Sequence, residues 1–229
     1  MNVARNWFAA SGSSSAWRCT PPILKCNTGR RMLRSAHARG KLQGVAVRPR
    51  ATLEDAVRLG RRTFLGGQRI DMSAIAHELC VNRVTLYRWI GSRDRLLVEV
   101  IWSLADRAIT AADQSTTARG AERIVQITTR FIDTVIANPG MQAWLAEEGE
   151  HAMRLLTRHQ TDFQPRLIHA IERLLVEETD AGRLDLPAHR HDLAYVIVRL
   201  IESYIYLDLI TGEDPRTHSA EPILRMLLR

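Results

Sequence analysis

From Thr52 onward, apolar residues recur every three or four positions, and no run alternates apolar with polar as a half-buried strand would. The pattern predicts an all-α protein. Thr52 can cap a first helix in which Leu53, Ala56, Val57, Leu59, Phe64 and Leu65 fall mostly on one side, and Gly66-Gly67 stops it. Asp71 caps a short second helix bearing Met72, Ile75, Ala76 and Leu79, and Asn82 caps a third over 83–89. Gly91-Ser92 separates that helix from a long fourth one running to about Gln114, with Leu96, Leu97, Val100, Ile101 and Leu104 inward. Further helices are expected at about 119–137, 139–149 and 150–179, followed by a very apolar one at 189–211 and a short one from about 219.

Residues 1–50 break this pattern. They lack helical or strand periodicity, contain Ser11-Gly12-Ser13-Ser14-Ser15 and Pro21-Pro22, and carry charge of one sign, which predicts a disordered, basic leader. A start codon placed too early, an organelle transit peptide and a basic arm for DNA phosphates are all compatible with that composition. The arginine bias, 30 Arg against 2 Lys, resembles a high-GC bacterial coding sequence and argues against the transit peptide. The expected organisation is therefore a leader over 1–50 followed by a helical remainder, with three shorter, closely punctuated helical stretches first and a long fourth one after them.

Composition changes this picture in one respect. At 229 residues with 45% hydrophobic content the chain has ample material for a core. The most apolar run, Leu193 to Ile210, is interrupted by Arg199, Glu202 and Asp208, so no membrane helix is expected. Cys19, Cys26 and Cys80 form neither a disulfide framework nor a zinc spacing, and a reducing, cytoplasmic location, at the bacterial nucleoid, fits. The net charge of +7 suggests nucleic acid, but ten Lys and Arg and no acid lie in 1–50, leaving 22 against 25 elsewhere, a net of −3. Any case for DNA must come from local geometry.

That geometry lies in residues 71–89. Two short capped helices with a three-residue joint form a helix-turn-helix, with Ile75, Ala76, Leu79, Val81 and Leu86 as the packing between them. The outward face of the second helix then carries Arg83, Val84, Thr85, Tyr87 and Arg88, a mixture suited to base edges and phosphates. Ser92 stands at a helix N-terminus whose free N–H groups suit a phosphate.

The run from Ile75 through Leu96, with Leu86-Tyr87-Arg88-Trp89-Ile90-Gly91-Ser92-Arg93-Asp94-Arg95-Leu96 at its end, resembles the N-terminal domain of the TetR family of bacterial regulators. The resemblance covers about 50 residues. It implies major-groove contact through Arg83, Val84 and Tyr87, with Ser73 reaching from the preceding helix, and phosphate contacts from Thr85, Tyr87 and Arg93. Two departures stand out: Cys80 occupies a turn position where the family commonly has Gly, and Asn82 replaces Ser or Thr as the cap. The same phrase looks similar to the subgroup regulating quorum-signal degradation, which implies a lactone-like inducer. By resemblance, too, 51–97 is a helix-turn-helix DNA-binding domain, 98–229 a helical ligand-binding and dimerisation domain, and 189–211 and 219–229 the dimer elements within it.

The helix at 189–211 contains one polar stripe, Tyr195, Arg199, Glu202 and Tyr206, at offsets 0, 4, 7 and 11. Arg199 and Glu202 can pair directly, either as an internal ion pair at a dimer seam or as the polar lining of a ligand pocket. Trp102, Trp144, Phe163, Tyr195 and Tyr206 supply candidate aromatic walls. His189, His191 and Asp192 read as a solvated helix start rather than a metal site, and no cofactor is expected.

No Gly-x-Ser-x-Gly elbow, phosphate loop, dinucleotide fingerprint or paired metal ligands are found, so an enzyme is not expected. The expected function is a repressor that binds a palindromic operator as a homodimer and is released by a small-molecule inducer. The alternatives are an activator of the same fold and a helical protein-interaction module without DNA binding.

Overall fold

In a computed structural model the described residues are 51–214 and 220–229, and these are helical throughout apart from the connecting segments. Expectations for residues 1–50 lie outside the described part.

Capping chemistry starts the first four helices. Thr52 and Asp55 form a reciprocal capping box that opens α1 (Leu53–Leu65). Asp71 accepts from the Ala74 N–H at 2.6 Å to open α2 (Met72–Glu78). Asn82 accepts from the Val84 N–H at 2.8 Å to open α3 (Arg83–Ile90), and Ser92 accepts from the Arg95 N–H at 3.1 Å to open α4 (Arg93–Gln114). The chain continues through α5 (Gly120–Ile136), α6 (Pro139–Thr157), a 3-10 turn (His159–Thr161), α7 (Phe163–Asp180), α8 (Arg190–Ile205), α9 (Leu207–Thr211) and α10 (Ala220–Leu227).

The core is continuous along α4. Its first half packs on α1 and its second half on α5, and α5, α7, α8 and α10 complete a helical bundle. Leu86, Leu96, Leu97, Ile124, Ile127, Leu174 and Ile201 are among the largest fully buried side chains. Gly60 sets the spacing of α1 and α4, since a Cβ there would stand 2.9 Å from Val100 Cγ2.

Three boundaries differ from the periodicity. The expected break at about residue 149 is instead a kink inside α6, where Glu148 takes φ −131° and ψ 34°. The real break comes at 158–162, where Asp162 turns the chain with a left-handed φ of 59°. Further on, the expected helix to 211 is interrupted at Tyr206, with φ −104° and ψ 17°.

A buried carboxylate ties the bundle together. Glu178, 1% exposed, accepts from the Gly120 N–H at 2.7 Å, from Arg123 at 2.6 Å and from Arg183 at 2.6 Å. Its neighbours, Arg183 first and then the Gly120 amide and Arg123, hold its pKa down at about 2 against burial that would raise it. A carboxyl with a depressed folded pKa contributes stability that is present above its ordinary value near 4.5 and lost as pH falls towards 2. Glu178→Ala should therefore cost about 3 kcal/mol at pH 7, and in urea unfolding the deficit should shrink below pH 4.5.

Candidate nucleic-acid interface

The α2–α3 unit is closed by backbone bonds across its turn, Val81 N–H to Ala76 O at 3.0 Å and Cys80 N–H to His77 O at 3.0 Å. Cys80 sits there at φ 53°, a left-handed conformation that glycine adopts without strain. Leu86 and Ile90 are the buried residues of α3, and they seat it on α1, α2 and α4.

With those two anchors inward, the opposite side is left to solvent. Asn82, Arg83, Val84 and Arg88 are exposed, Thr85 and Tyr87 half-buried, and Ser73 is exposed on α2. Val84 is 74% exposed, an unusual position for an aliphatic side chain in a short helix and one suited to a thymine methyl. Arg83 donates to the Tyr87 hydroxyl at 3.3 Å and lies 5.3 Å from its ring centroid, so the pair one turn apart is mutually oriented. That hydroxyl raises the Arg83 pKa further, and its charge is permanent. The oxygens of Asn82 and Ser92 serve as helix caps, which orients the free N–H groups of the first turns.

Arg93 is placed differently from its neighbours. Its guanidinium donates from Nε to the Ile70 carbonyl at 3.0 Å and bidentately to Glu148 at 2.9 and 3.1 Å, and its side chain is 23% exposed. Residue types and spacing gave no sign of this partner, which lies 55 positions along the chain.

The expected ligand residues fall into separate groups. Trp102 and Phe163 make an edge contact, with centroids 6.1 Å apart and planes at 83°, and Arg166 stands 5.8 Å from the Trp102 ring. Tyr195 and Arg199 stack at 5.5 Å, Arg199 pairs with Glu202, and Gln164, next to Phe163, donates to the same carboxylate. Gln164 is a buried polar residue that apolar periodicity did not single out. Burial pushes the Glu202 pKa up to about 7, with Arg199 and Gln164 opposing it, and burial likewise raises that of Tyr206. Trp144 stands apart: it packs edge-on against Phe64 at 6.0 Å and lines a small cavity beside Arg93 and Glu148. A groove of about 260 Å³ runs between α1, α3, α4 and the 158–162 turn, lined by Leu53, Trp89, Val98, Glu99, Leu155 and Asp162 among others. None of the expected ligand residues lines it. Among the described residues no group of His, Cys, Asp or Glu could hold a metal, and no helix is long and apolar enough to cross a membrane.

Comparison with known proteins gives a consistent picture. Residues 119–229 match the family model described as tetracyclin repressor-like, C-terminal domain. The transcriptional repressor QsdR of R. erythropolis, from the TetR family, superposes with a TM-score of 0.70 at 25% identity, over 76% of this chain and 93% of that one. The TetR-family repressor AlkX of Dietzia sp. strain DQ12-45-1b, implicated in biodegradation of n-alkanes, gives 0.56 at 19% identity, over 79% and 99%. No curated protein matches the chain in sequence.

The turn conformation generates a prediction of its own. A non-glycine residue in the left-handed region costs roughly 1 kcal/mol, so Cys80→Gly should raise the unfolding free energy by up to about that amount. Chemical denaturation checks it, and DNA binding should be retained because the Cys80 side chain is exposed and in no disulfide.

Proposed function

The chain belongs to the TetR family of transcriptional regulators, whose members are not enzymes, and from that premise we propose that it is a ligand-responsive repressor that binds a palindromic operator as a homodimer. The observation that carries the reading is the sidedness of α3: Leu86 and Ile90 are buried while Arg83, Val84 and Arg88 face solvent beside a half-buried Tyr87. A helix of that kind fits the major groove, with Arg83 able to donate two hydrogen bonds to guanine and Val84 able to meet a thymine methyl. Ser73, Asn82, Thr85, Arg88 and Ser92 supply polar groups around it for the sugar-phosphate backbone.

One copy of α3 reads only a few base pairs, and a second copy held about 34 Å away reads the other half of a palindrome. Apolar side chains on α8 and α10 support that pairing: Tyr195, Val196, Ile223 and Met226 are 48%, 40%, 38% and 68% exposed. A second copy covering them brings Tyr195 and Arg199 to the seam. Glu202, Gln164, Phe163, Trp102 and Tyr206 then form the inner side, suited to an amphipathic inducer with a hydrogen-bonding head, of which a lactone is one example. The inducer releases DNA by favouring a dimer geometry in which the two recognition helices no longer match successive grooves.

Arg83→Ala is expected to weaken binding to the cognate operator by about 1–3 kcal/mol while leaving binding to scrambled DNA nearly unchanged. Fluorescence-anisotropy titrations on both DNAs check it. Equal losses on both would remove the base-reading role from Arg83.

A further inference from the structure

The family resemblance gives Arg93 a DNA phosphate, yet each of its three guanidinium nitrogens already donates within the protein, using three of its five N–H groups. Nε reaches the carbonyl of Ile70, in the segment between α1 and α2, at 3.0 Å, and the two terminal nitrogens fork onto Glu148 of α6 at 2.9 and 3.1 Å. Arg69 approaches the same carboxylate at 3.1 Å. The carboxyl is held in its ionised form chiefly by the Arg93 hydrogen bonds, with Arg69 and His151 adding charge on the same side.

The position of Glu148 is as informative as its partners. It is the non-helical residue of α6, at φ −131° and ψ 34°, so the helix bends at the residue that meets Arg93. One turn further, His151 Nε2 contacts Asp94 Oδ1 at 3.1 Å, making a second tie from α6 to the first turn of α4. At the other end of the same helix Gly140 lies against α1 so closely that a Cβ would stand 2.0 Å from Phe64 O. The helix pair that carries α3 is thus clasped to α6 at the α1 terminus, the α1–α2 segment and the α4 N-terminus.

We infer that Arg93 is a positioning residue, which fixes the orientation of the α2–α3 unit by bridging Ile70 and the kinked Glu148 instead of meeting a DNA phosphate. A fork is needed for this, because one side chain must serve a carbonyl and both oxygens of a carboxylate at once. Lysine, a single point charge, would satisfy a phosphate but not this three-point bridge. Ser92, Arg83 and Arg88 are left as the nearby groups that face solvent or line the helix starts.

Resting on the DNA-binding reading above, the two roles separate in a titration of the DNA site selected by the wild-type chain, run at several salt concentrations. The proteins are wild type, Arg93→Lys, Arg93→Gln, Glu148→Gln and the Arg93→Lys/Glu148→Gln double variant. Positioning predicts that each single substitution weakens specific binding about fivefold or more, that the double variant loses no more than the worse single one, and that the slope of log K against log salt stays at the wild-type value. Wild-type affinity in Arg93→Lys, or a slope in Arg93→Gln shallower by about 0.9 as for one lost phosphate contact, would overturn it. Hydrogen exchange on the DNA-free proteins gives a readout that needs no operator. Glu148→Gln should speed exchange of the amides of α2 and α3 while those of α5, α7 and α8 keep their protection, and unchanged exchange in α2 and α3 would equally overturn the inference. Failure of the wild type to select any DNA would instead fall on the proposed function, and the exchange result would still decide the clasp.

Discussion

The exposure of α3 depends on what lies behind it. An eight-residue helix is far too short to persist alone in water, where about 12 to 15 residues are marginal even for good helix formers. It exists here because Leu86 and Ile90 are buried at 0% and 6% exposure, and because Asn82 and Gly91 define its two ends. The same burial that stabilises the helix determines which side chains are left outside, so the packing of α3 and the make-up of its exposed face are consequences of one arrangement.

That arrangement is carried by α4. Its 22 residues extend about 33 Å at 1.5 Å per residue, with Leu96 and Val100 packed beside Gly60 of α1 and Ile101, Ala105, Ile109 and Ala112 continuing the buried row. As one helix in contact with both α1 and α5, α4 is a rod that links the two parts of the core. The clasp from Arg93 to Glu148 then determines how the near end of the rod and the α1–α2 segment sit on α6.

Much of this was legible in the residues. The four caps Thr52, Asp71, Asn82 and Ser92 each combine a short polar side chain with a following apolar period, and each opens a helix where expected. The left-handed turn at Cys80 was legible too, through the family resemblance, which commonly has Gly at that position. The break at Asp162 was not, although Pro165 three positions on fits the first turn of a new helix; the turn itself is made by a non-glycine residue in the left-handed region. The kink at Glu148 was hidden for another reason: its determinants, Arg93 and Arg69, lie 55 and 79 positions away, and no local periodicity encodes them. Among candidate ligand residues, the Arg199–Glu202 pair followed from helical spacing, whereas the separation of Trp144 from the rest and the part played by Gln164 arise only from the packing of α1, α6 and α7.

The most direct measurement of the central claim, that α3 presents a base-reading face in two symmetry-related copies, is selection of binding sites from a random-sequence DNA pool by the purified chain. Enrichment of an inverted repeat is expected, with half-sites centred about one helical turn, roughly 34 Å, or a multiple of it apart. Recovery of no enriched sequence, or of a single unrepeated half-site bound by one subunit, would contradict it.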